Sequence, residues 1–408
     1  MTPTMISPSG DADTGLGFDL VDADEHYYEV EDTFTRFGDE KVRRHVRWVN
    51  EGKRRHLLFG GRLSTGVPNP TFNPIAKPGA FHHALKRLEV GGRPTGRDYG
   101  ELEPLPEEYR NRELRLQRLD EQGVERVIMF PTLGQCVEHL MFDNVDMMYR
   151  VFRSFNRWLD DQWGFNHEDR IYAPPVVPML DIGRACEEFE AVLDAGAKWV
   201  CLRPGPLYGR SPADPYFDPF WARVNEARIV VGFHAIGGAS PYDDMFADAW
   251  IRPSAGDPAY QANLRQALFP GERPIMDTLT SLVLGCTFQR FPHVRVASVE
   301  MGCTWVPYFL HLLDHAGGLL DRRVEAFGHH ITERPSEVFK RHVWVSPFPE
   351  EDVVGLAALI GVDRVLMGSD WPHPEGNQFP AQYVECIRAL SAPEVRRIMR
   401  ENALELLR

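Results

Sequence analysis

The sequence lacks the features that mark several large classes of protein. Its six cysteines are scattered, and no C-x-x-C pair occurs among them, which argues against a zinc ribbon and against a disulfide scaffold. The formal net charge of −14 disfavours a surface for nucleic acid or anionic lipid, because phosphate binding requires clustered cations. No run of residues is long and apolar enough for a membrane span. We therefore expect a cytoplasmic protein whose partner is a small-molecule substrate, with no nucleic-acid or membrane partner.

The chain is long enough for one large folded unit. Residues 1–17 have no basic segment followed by an apolar one, which a secretory signal would require, and we predict that they form a disordered leader. With 43% hydrophobic residues in the whole chain, residues 18–408 can bury a large core. We predict that this range is a single domain.

Apolar segments of strand length alternate with helical segments through most of the chain. The predicted strands are residues 18–24, 126–131, 171–180, 198–203, 228–234, 294–300, 342–346 and 364–370. Eight apolar strands separated by helices favour parallel strands buried on both faces, and eight strands can close a (β/α)8 barrel of the TIM type. An open doubly wound sheet is the competing α/β topology, but no G-x-G-x-x-G follows any strand to support a nucleotide-binding sheet.

A long segment after the first predicted strand interrupts this alternation. About residues 36–110 are rich in Gly, Pro, Asn and charged residues, and they are too many for an ordinary loop. We predict a long irregular insertion that lies over one end of the barrel.

Polar residues follow several of the predicted strands. Strand one runs into Asp24 and His26, strand five ends at His234, and strand eight ends at Asp370. Active sites of such barrels lie at the C-terminal ends of the strands, and residues two apart on a strand face the same side, so these four side chains can approach one ion. A buried carboxylate also needs a compensating cation or donors. The sequence predicts a divalent metal held by nitrogen and oxygen ligands, namely zinc, manganese or iron.

Each of these residues also has an ordinary structural interpretation. His26 or His234 taken alone could be a buried histidine of the core, and Asp24 or Asp370 could form a turn. The metal is favoured by the four residues jointly, because several ionisable groups at one barrel mouth are typical of a functional site.

Three further residues stand at or near strand ends. Arg203 ends strand four, and we predict that its guanidinium binds a substrate carboxylate, which it can contact with two parallel hydrogen bonds. Glu300 ends strand six and is predicted to be a general acid or base, or a further metal ligand; an ion pair with Arg203 is the structural alternative. His373 lies just beyond strand eight and is a further candidate ligand.

These motifs together resemble the amidohydrolase superfamily, in particular the amidohydrolase-related branch that contains aminocarboxymuconate-semialdehyde decarboxylase and the resorcylate-type decarboxylases. The resemblance covers roughly residues 18–34 and 111–408, and it is carried by Asp24-x-His26, His234, Glu300-x-Gly302 with Trp305, and Gly368-Ser369-Asp370-Trp371-Pro372-His373. It implies a (β/α)8 barrel. It also implies that Asp24, His26, His234 and Asp370 are metal ligands, and that Asp370 can accept a proton from metal-bound water.

The sequence departs from the superfamily pattern at three positions. Asp24 stands where the first histidine of His-x-His is usual, Arg203 stands where a bridging lysine would be, and Glu300 stands where the related decarboxylases have a histidine. A lysine-bridged pair of metals is therefore not expected. The resulting carboxylate-rich set suits iron, however, and could hold two iron ions.

Three functions are compatible with these observations. The first is a metal-dependent amidohydrolase-like enzyme that hydrolyses or non-oxidatively decarboxylates a small carboxylated or aromatic substrate. The second is a non-haem iron or diiron oxygenase, a monooxygenase that hydroxylates a bulky apolar substrate on the same barrel. The third is a non-catalytic, metal-stabilised binding protein. A homodimer is expected for an acidic barrel with a protruding insertion.

Overall fold

The structure is a computed structural model that describes residues 15–67, 69–81, 92, 100, 102–235, 272–320 and 329–408. Most of the predicted leader, residues 1–17, and most of the long connection 236–274 lie outside the described residues. Within the described ranges, no helix combines the length and the apolar character that a bilayer span requires.

The described chain alternates strands and helices through most of its length. The strands are β1 (Leu20–Tyr27), β2 (Val46–Glu51), β3 (Arg54–Phe59), β4 (Arg62–Leu63), β5 (Ile75–Ala76), β6 (Leu102–Glu103), β7 (Val124–Pro131), β8 (Ile171–Tyr172), β9 (Trp199–Leu202), β10 (Val230–His234), β11 (Arg295–Val299) and β12 (Val343–Val345). The helices are α1 (Glu40–His45), α2 (Arg112–Gln122), α3 (Val145–Gln162), α4 (Ile182–Asp194), α5 (Asp218–Ala227), α6 (Glu272–Leu284), α7 (Thr287–Arg290), α8 (Val306–Leu320), α9 (Pro335–His342), α10 (Val353–Ile360), α11 (Ala392–Arg396) and α12 (Asn402–Leu406).

Seven of the strands lie side by side in parallel. β1 pairs with β7 and β7 with β8, while β9, β10, β11 and β12 form a second parallel sheet in sequence order. Just beyond β8, Val176 pairs with Cys201 of β9 and joins the two sheets. Their residues are almost all buried because helices cover the outer face and the side chains of opposite strands fill the interior.

Residues 365–371 form the eighth member of the ring. Val365 pairs with Val345 of β12, and the carbonyl oxygen of Met367 accepts a 2.9 Å hydrogen bond from the amide of Ala23 in β1. Main-chain pairing therefore runs around the whole set. The predicted α/β class and (β/α)8 barrel are confirmed.

The eighth segment differs from the continuous strand predicted over residues 364–370. The amide of Ser369 donates a 3.0 Å hydrogen bond to Oδ1 of Asp22 rather than to a neighbouring main chain. Gly368 is needed for close approach, since a Cβ there would lie 2.5 Å from Oγ of Ser346 and 2.6 Å from Cβ of Asp24. Close packing against β1 thus replaces a regular ladder and leads the chain into Asp370.

The described part of the predicted insertion, residues 36–110, is more regular than expected. β2, β3 and β4 form an antiparallel sheet, and β5 pairs with β6. Gly52, with φ of 59°, lies in the two-residue turn between β2 and β3, and Leu57 and Phe59 of β3 are buried. The amide of Phe81 donates to the carbonyl oxygen of Pro374, so the insertion contacts the loop that follows the eighth segment.

Four helices that lie between barrel strands begin at capping residues. The side chains of Asn111, Asn144, Asp181 and Asp352 accept hydrogen bonds from the first turns of α2, α3, α4 and α10. A side-chain oxygen at this position satisfies a backbone donor that the helix itself leaves unpaired. These caps fix where each helix starts after its strand end, which is the face of the barrel that carries the candidate site.

Candidate metal centre

Asp24 and His26 point into the barrel from the end of β1. They are two residues apart and therefore share a face of the strand, and their exposed fractions are 3% and 1%. Nε2 of His26 lies 3.5 Å from Oδ1 of Asp24. Neither ring nitrogen of His26 makes a hydrogen bond within the described structure.

His234 reaches the same point from the end of β10. Its Nε2 lies 3.4 Å from Oδ1 of Asp24. Its Nδ1 lies 2.9 Å from the carbonyl oxygen of Ala235, which makes Nδ1 the donor and leaves the Nε2 lone pair directed at the site. Phe130 stacks on the ring with centroids 4.6 Å apart and fixes its plane.

Asp370, near the end of the eighth segment, and His373, in the loop that follows it, close the site. Oδ1 of Asp370 lies 3.3 Å from Nε2 of His26 and 2.7 Å from Nδ1 of His373. The His373 ring stacks on that of His26 at 3.9 Å, and its Nε2 lies 3.1 Å from Oγ1 of Thr132. The chain between these two residues thus delivers a carboxylate and an imidazole to one place.

Glu300 completes the group at the end of β11. Its Oε2 lies 3.1 Å from Nε2 of His234 and 3.8 Å from Nε2 of His26. Glu300 and Asp370 both have φ of 55°, in the left-handed region that non-glycine residues rarely adopt. Such strain persists where the surrounding structure requires it and is concentrated at functional sites.

The electrostatic environment separates these groups into charged and neutral members. Burial raises the pKa of Asp24, but the adjacent imidazoles of His234 and His26 outweigh that effect and bring the pKa to about 2. Burial, with a further contribution from Asp370, raises the pKa of Glu300 well above its usual value. Burial and the nearby His373 lower the pKa of His26, so its ring is neutral and can act as a ligand.

The donor atoms of the cluster are arranged to coordinate a metal ion and not to hydrogen-bond with one another. Nδ1 of His373 and Oδ1 of Asp370 approach closely but, like both nitrogens of His26, make no hydrogen bond within the described structure. Buried polar atoms are normally hydrogen-bonded, and a shared cation accounts for their convergence. Three overlapping sets could hold an ion: Asp24 with His26 and His234; His26 with Asp370 and His373; and Glu300 with Asp370, His373 and Glu375.

Arg203 lies beside this cluster and is not paired with Glu300. Leu202 of β9 is in register with Phe233 of β10, so the next residues, Arg203 and His234, occupy neighbouring positions on the inward face. Arg203 is only 6% exposed, and among the described residues no carboxylate lies within ion-pair distance of it. Its Nη2 donates to the carbonyl oxygen of Pro206 at 3.2 Å, while Nε and Nη1 have no acceptor there.

Sequence reasoning missed Glu138 and Tyr208, which lie close to Arg203, and the buried Gln135 on the same segment as Glu138. Gln135 and Glu138 lie on a fully buried 3₁₀ segment, Gly134–Met141, and residues three apart in such a segment share a face. Glu138 accepts a hydrogen bond from the Tyr208 hydroxyl, and the guanidinium of Arg203 lies 5.5 Å from the Tyr208 ring. Neither polar atom of the Gln135 amide has a partner in the described structure. No motif marks this segment, although it directly follows a barrel strand.

The amidohydrolase family model matches residues 108–408. An amidohydrolase from Mycobacterium avium subsp. paratuberculosis K-10 is 38% identical, with a TM-score of 0.85 over 96% of this chain and 98% of that protein. The chain therefore belongs to the amidohydrolase family. All six predicted ligand residues lie together at one end of its barrel.

Two more distant relatives are decarboxylases. The 5-carboxyvanillate decarboxylase of Novosphingobium aromaticivorans, complexed with manganese and 4-hydroxy-3-methoxy-5-nitrobenzoic acid, has a TM-score of 0.63 over 98% of this chain and 99% of its own. At 18% identity this likeness shows the fold alone. The 2-amino-3-carboxymuconate-6-semialdehyde decarboxylase of Dictyostelium discoideum is 28% identical over 131 residues, which are 32% of this chain and 35% of that protein.

Proposed function

We propose that the protein is a divalent-metal-dependent decarboxylase that removes CO2 without oxidation from a small aromatic or unsaturated carboxylic acid. The observation that carries this proposal is the buried guanidinium of Arg203, which has no carboxylate partner among the described residues and lies beside the cluster of Asp24, His26 and His234. A buried guanidinium without a carboxylate partner is costly unless a ligand supplies one. The similarity to the decarboxylase of Dictyostelium discoideum supports the same reaction class.

Asp24, His26, His234 and Asp370 would hold the metal. Their nitrogen and oxygen donors suit manganese, zinc or iron, and none is a thiolate. A divalent ion there would act as a Lewis acid towards a substrate oxygen and would lower the pKa of a coordinated water. The unsatisfied atoms of His26 and Asp370 are the structural support for this assignment.

Arg203 and Gln135 would position the substrate. The two free donor positions of Arg203 can bind a carboxylate, and the free amide of Gln135 can donate to or accept from a second polar group on the same molecule. Burial raises the pKa of Glu138, while the charge of Arg203 and the hydroxyl of Tyr208 act against that rise. Glu138 therefore keeps Tyr208 in place without forming a tight ion pair that would occupy Arg203.

Glu300 is the proposed proton donor. Loss of CO2 leaves an electron pair on carbon that must be protonated. Burial and Asp370 raise the pKa of Glu300, which favours the protonated form of its carboxyl group. Its side chain is 18% exposed and contacts His234, so it is close to the cluster and partly exposed at the mouth of the barrel.

The proposal is tested by measuring metal content and CO2 release together. The purified protein is analysed for metals, stripped with a chelator, and reloaded separately with manganese, zinc and iron before assay against a panel of hydroxylated benzoic acids. We expect metal-dependent release of CO2, and a loss of about 100-fold or more in kcat/KM for Arg203→Gln. Arg184→Gln removes an arginine that is paired with Asp146 at the surface and should leave kcat/KM unchanged. Full activity in demonstrably metal-free protein would falsify the proposal.

A second function, a two-iron oxygenase, is favoured by one specific observation. Glu300, Asp370, His373 and Glu375 form a ligand set that overlaps the first one only in part, so the site could hold two ions. Carboxylate-rich sets of this kind suit iron. About two iron ions per chain, together with substrate-dependent consumption of O2, would support this function. Turnover without O2 in protein that holds one metal ion per chain would contradict it.

A further inference from the structure

A cavity lies at the opposite end of the barrel from the metal-ligand cluster. Its volume is about 550 Å³, and it is lined by residues that directly precede or begin β9, β10, β11 and β12. The cluster lies at the other ends of these strands. Since β11 has five residues, the two sites are separated by roughly 16 Å along the strand.

The lining of this cavity is strongly cationic. It includes the side chains of Lys198, Arg228, Arg295, Arg341 and Arg408, and no Asp or Glu is among its described lining residues. The chain as a whole has a net charge of −14, so this concentration of cations is local. Concave surfaces lined by one sign of charge attract ions of the opposite sign.

Two of the lining residues are left with unsatisfied donors. Arg295 donates through Nη1 to the carbonyl oxygen of Glu405 and through Nη2 to that of Arg228, but its Nε has no acceptor in the described structure. Trp344 is only 7% exposed, and its indole Nε1 also has no hydrogen-bond acceptor in the described structure. Arg295 is in register with Val230, and both share the inward face of their strands. A buried donor at the edge of a cavity indicates an acceptor that a ligand would supply.

The negative ends of helices explain only part of this charge. α5 ends next to Arg228, and Arg341 lies in the last turn of α9, where cations are favourable. Arg341 is also paired with Glu333, with both nitrogen–oxygen distances at 2.9 Å. Arg295 begins a strand and has no carboxylate within ion-pair distance among the described residues, so neither explanation applies to it.

We propose that this cavity binds a small oxyanion, a phosphate or carboxylate group held by Arg295 and Lys198, with the apolar part of the ligand against Trp344. The volume lies within the usual range of small-molecule sites, about 300–1,000 Å³. The proposal does not depend on the reaction at the metal-ligand cluster.

The test is a calorimetric titration of the metal-loaded protein with inorganic phosphate, and separately with succinate, at constant ionic strength. We expect saturable binding of at least one anion and a rise in Tm of about 1–3 °C at saturation. Arg295→Gln should weaken that binding tenfold or more. Lys198→Gln changes the other proposed anion-binding side chain and provides a second variant if the first does not fold.

Two controls separate this site from the metal-ligand cluster and from general charge effects. Asp370→Asn alters the metal-ligand cluster and should leave the Kd for the anion within twofold of the parent value. Arg184→Gln removes the same charge as Arg295→Gln but far from the cavity, and it should also leave the Kd within twofold. The proposal is overturned if neither anion binds saturably, if both cavity variants bind as the parent does, or if Arg184→Gln weakens binding as strongly as Arg295→Gln.

Discussion

The two ends of the barrel carry opposite charge, and both leave polar atoms without partners. At the C-terminal ends of the strands, carboxylates and imidazoles converge, and atoms of His26 and Asp370 make no hydrogen bond within the described structure. At the N-terminal ends, cationic side chains converge, and Nε of Arg295 and Nε1 of Trp344 make no hydrogen bond within the described structure. One end is therefore prepared for a cation and the other for an anion.

A buried ion pair next to the metal-ligand cluster shows a charged group whose partner is supplied by the fold itself. Nη1 of Arg115 lies 3.0 Å from Oε2 of Glu25, and both side chains are 0% exposed. Nη2 of Arg115 also donates to the carbonyl oxygen of His26 at 2.8 Å, and the guanidinium lies 4.5 Å from the Trp371 ring. Arg115 and Glu25 pair with each other and stabilise the fold, whereas His26 and Asp370 have polar atoms that a bound metal would satisfy. The predictions below test that difference.

Asp370→Asn should have the largest effect, on activity and metal binding. The amide keeps the shape of the side chain but removes the charge that a metal ligand contributes, so we expect a loss of roughly 1,000-fold in kcat/KM and a clear loss of bound metal. Elemental analysis and steady-state kinetics check this. Asp194→Asn, at an exposed position at the end of α4, is the matched control. Unchanged metal content in Asp370→Asn would assign the residue to the fold instead.

Arg115→Met should have the largest effect on stability. It leaves Glu25 buried without its partner, which costs about 3–5 kcal/mol in unfolding free energy. The double variant Glu25→Leu with Arg115→Met should recover most of that loss. Arg118→Met, on the same helix but 41% exposed, should cost under about 1 kcal/mol. Urea denaturation of the parent and the three variants measures these differences. Equal losses of unfolding free energy in Arg115→Met and Arg118→Met would mean that the buried pair contributes no more than a surface pair.

The strand-end residues of the site could be predicted from the sequence because they follow local rules. Asp24, His26 and His234 stand at the ends of apolar segments, and the period of a strand fixes which side they face. Glu300 and Asp370 follow from the same rule, although their left-handed backbone does not. The closed barrel is likewise a consequence of strand count and strand apolarity.

What could not be predicted depends on contacts between distant parts of the chain. Arg115 gives no sign in the sequence that it will be buried against Glu25, and Gln135 lies in a segment without a motif. The strands of the insertion are short and lie among charged residues, Gly and Pro, so the sequence does not indicate their hairpin. Arg295 looks like an ordinary cation at the start of a strand, because its neighbours in the cavity come from other strands.

Glu29 should make stability depend on pH at the metal-site end. Its Oε1 accepts hydrogen bonds from the amides of Leu133 and Gly134 at 2.9 and 2.7 Å, yet burial raises its pKa from 4.5 to about 7. The folded state therefore binds a proton more tightly than the unfolded state. Its contribution to stability is fully present below pH 4.5 and is lost as the pH rises through about 7.

Glu29→Gln removes this titration and keeps an oxygen that can accept the two bonds. Between pH 5 and pH 8 the parent should lose about 2–3 kcal/mol relative to the variant. Urea denaturation of the metal-stripped proteins at both pH values measures the difference, since metal binding would add its own pH dependence. Parallel pH profiles of the two proteins would mean that Glu29 is ionised in the folded state.

Asn144→Ala should have the smallest effect, and it asks whether the metal-site end also stabilises the fold. The Asn144 side chain accepts a 3.1 Å hydrogen bond from the amide of Met147 in the first turn of α3. Its loss should cost about 1 kcal/mol in unfolding free energy, whereas Asn144→Asp keeps the acceptor and should cost only a few tenths. Neither variant should change metal content. A change in metal content in Asn144→Ala would mean that the position of α3 affects the geometry of the metal-ligand cluster. Metal binding would then depend on residues whose direct role is to stabilise the fold.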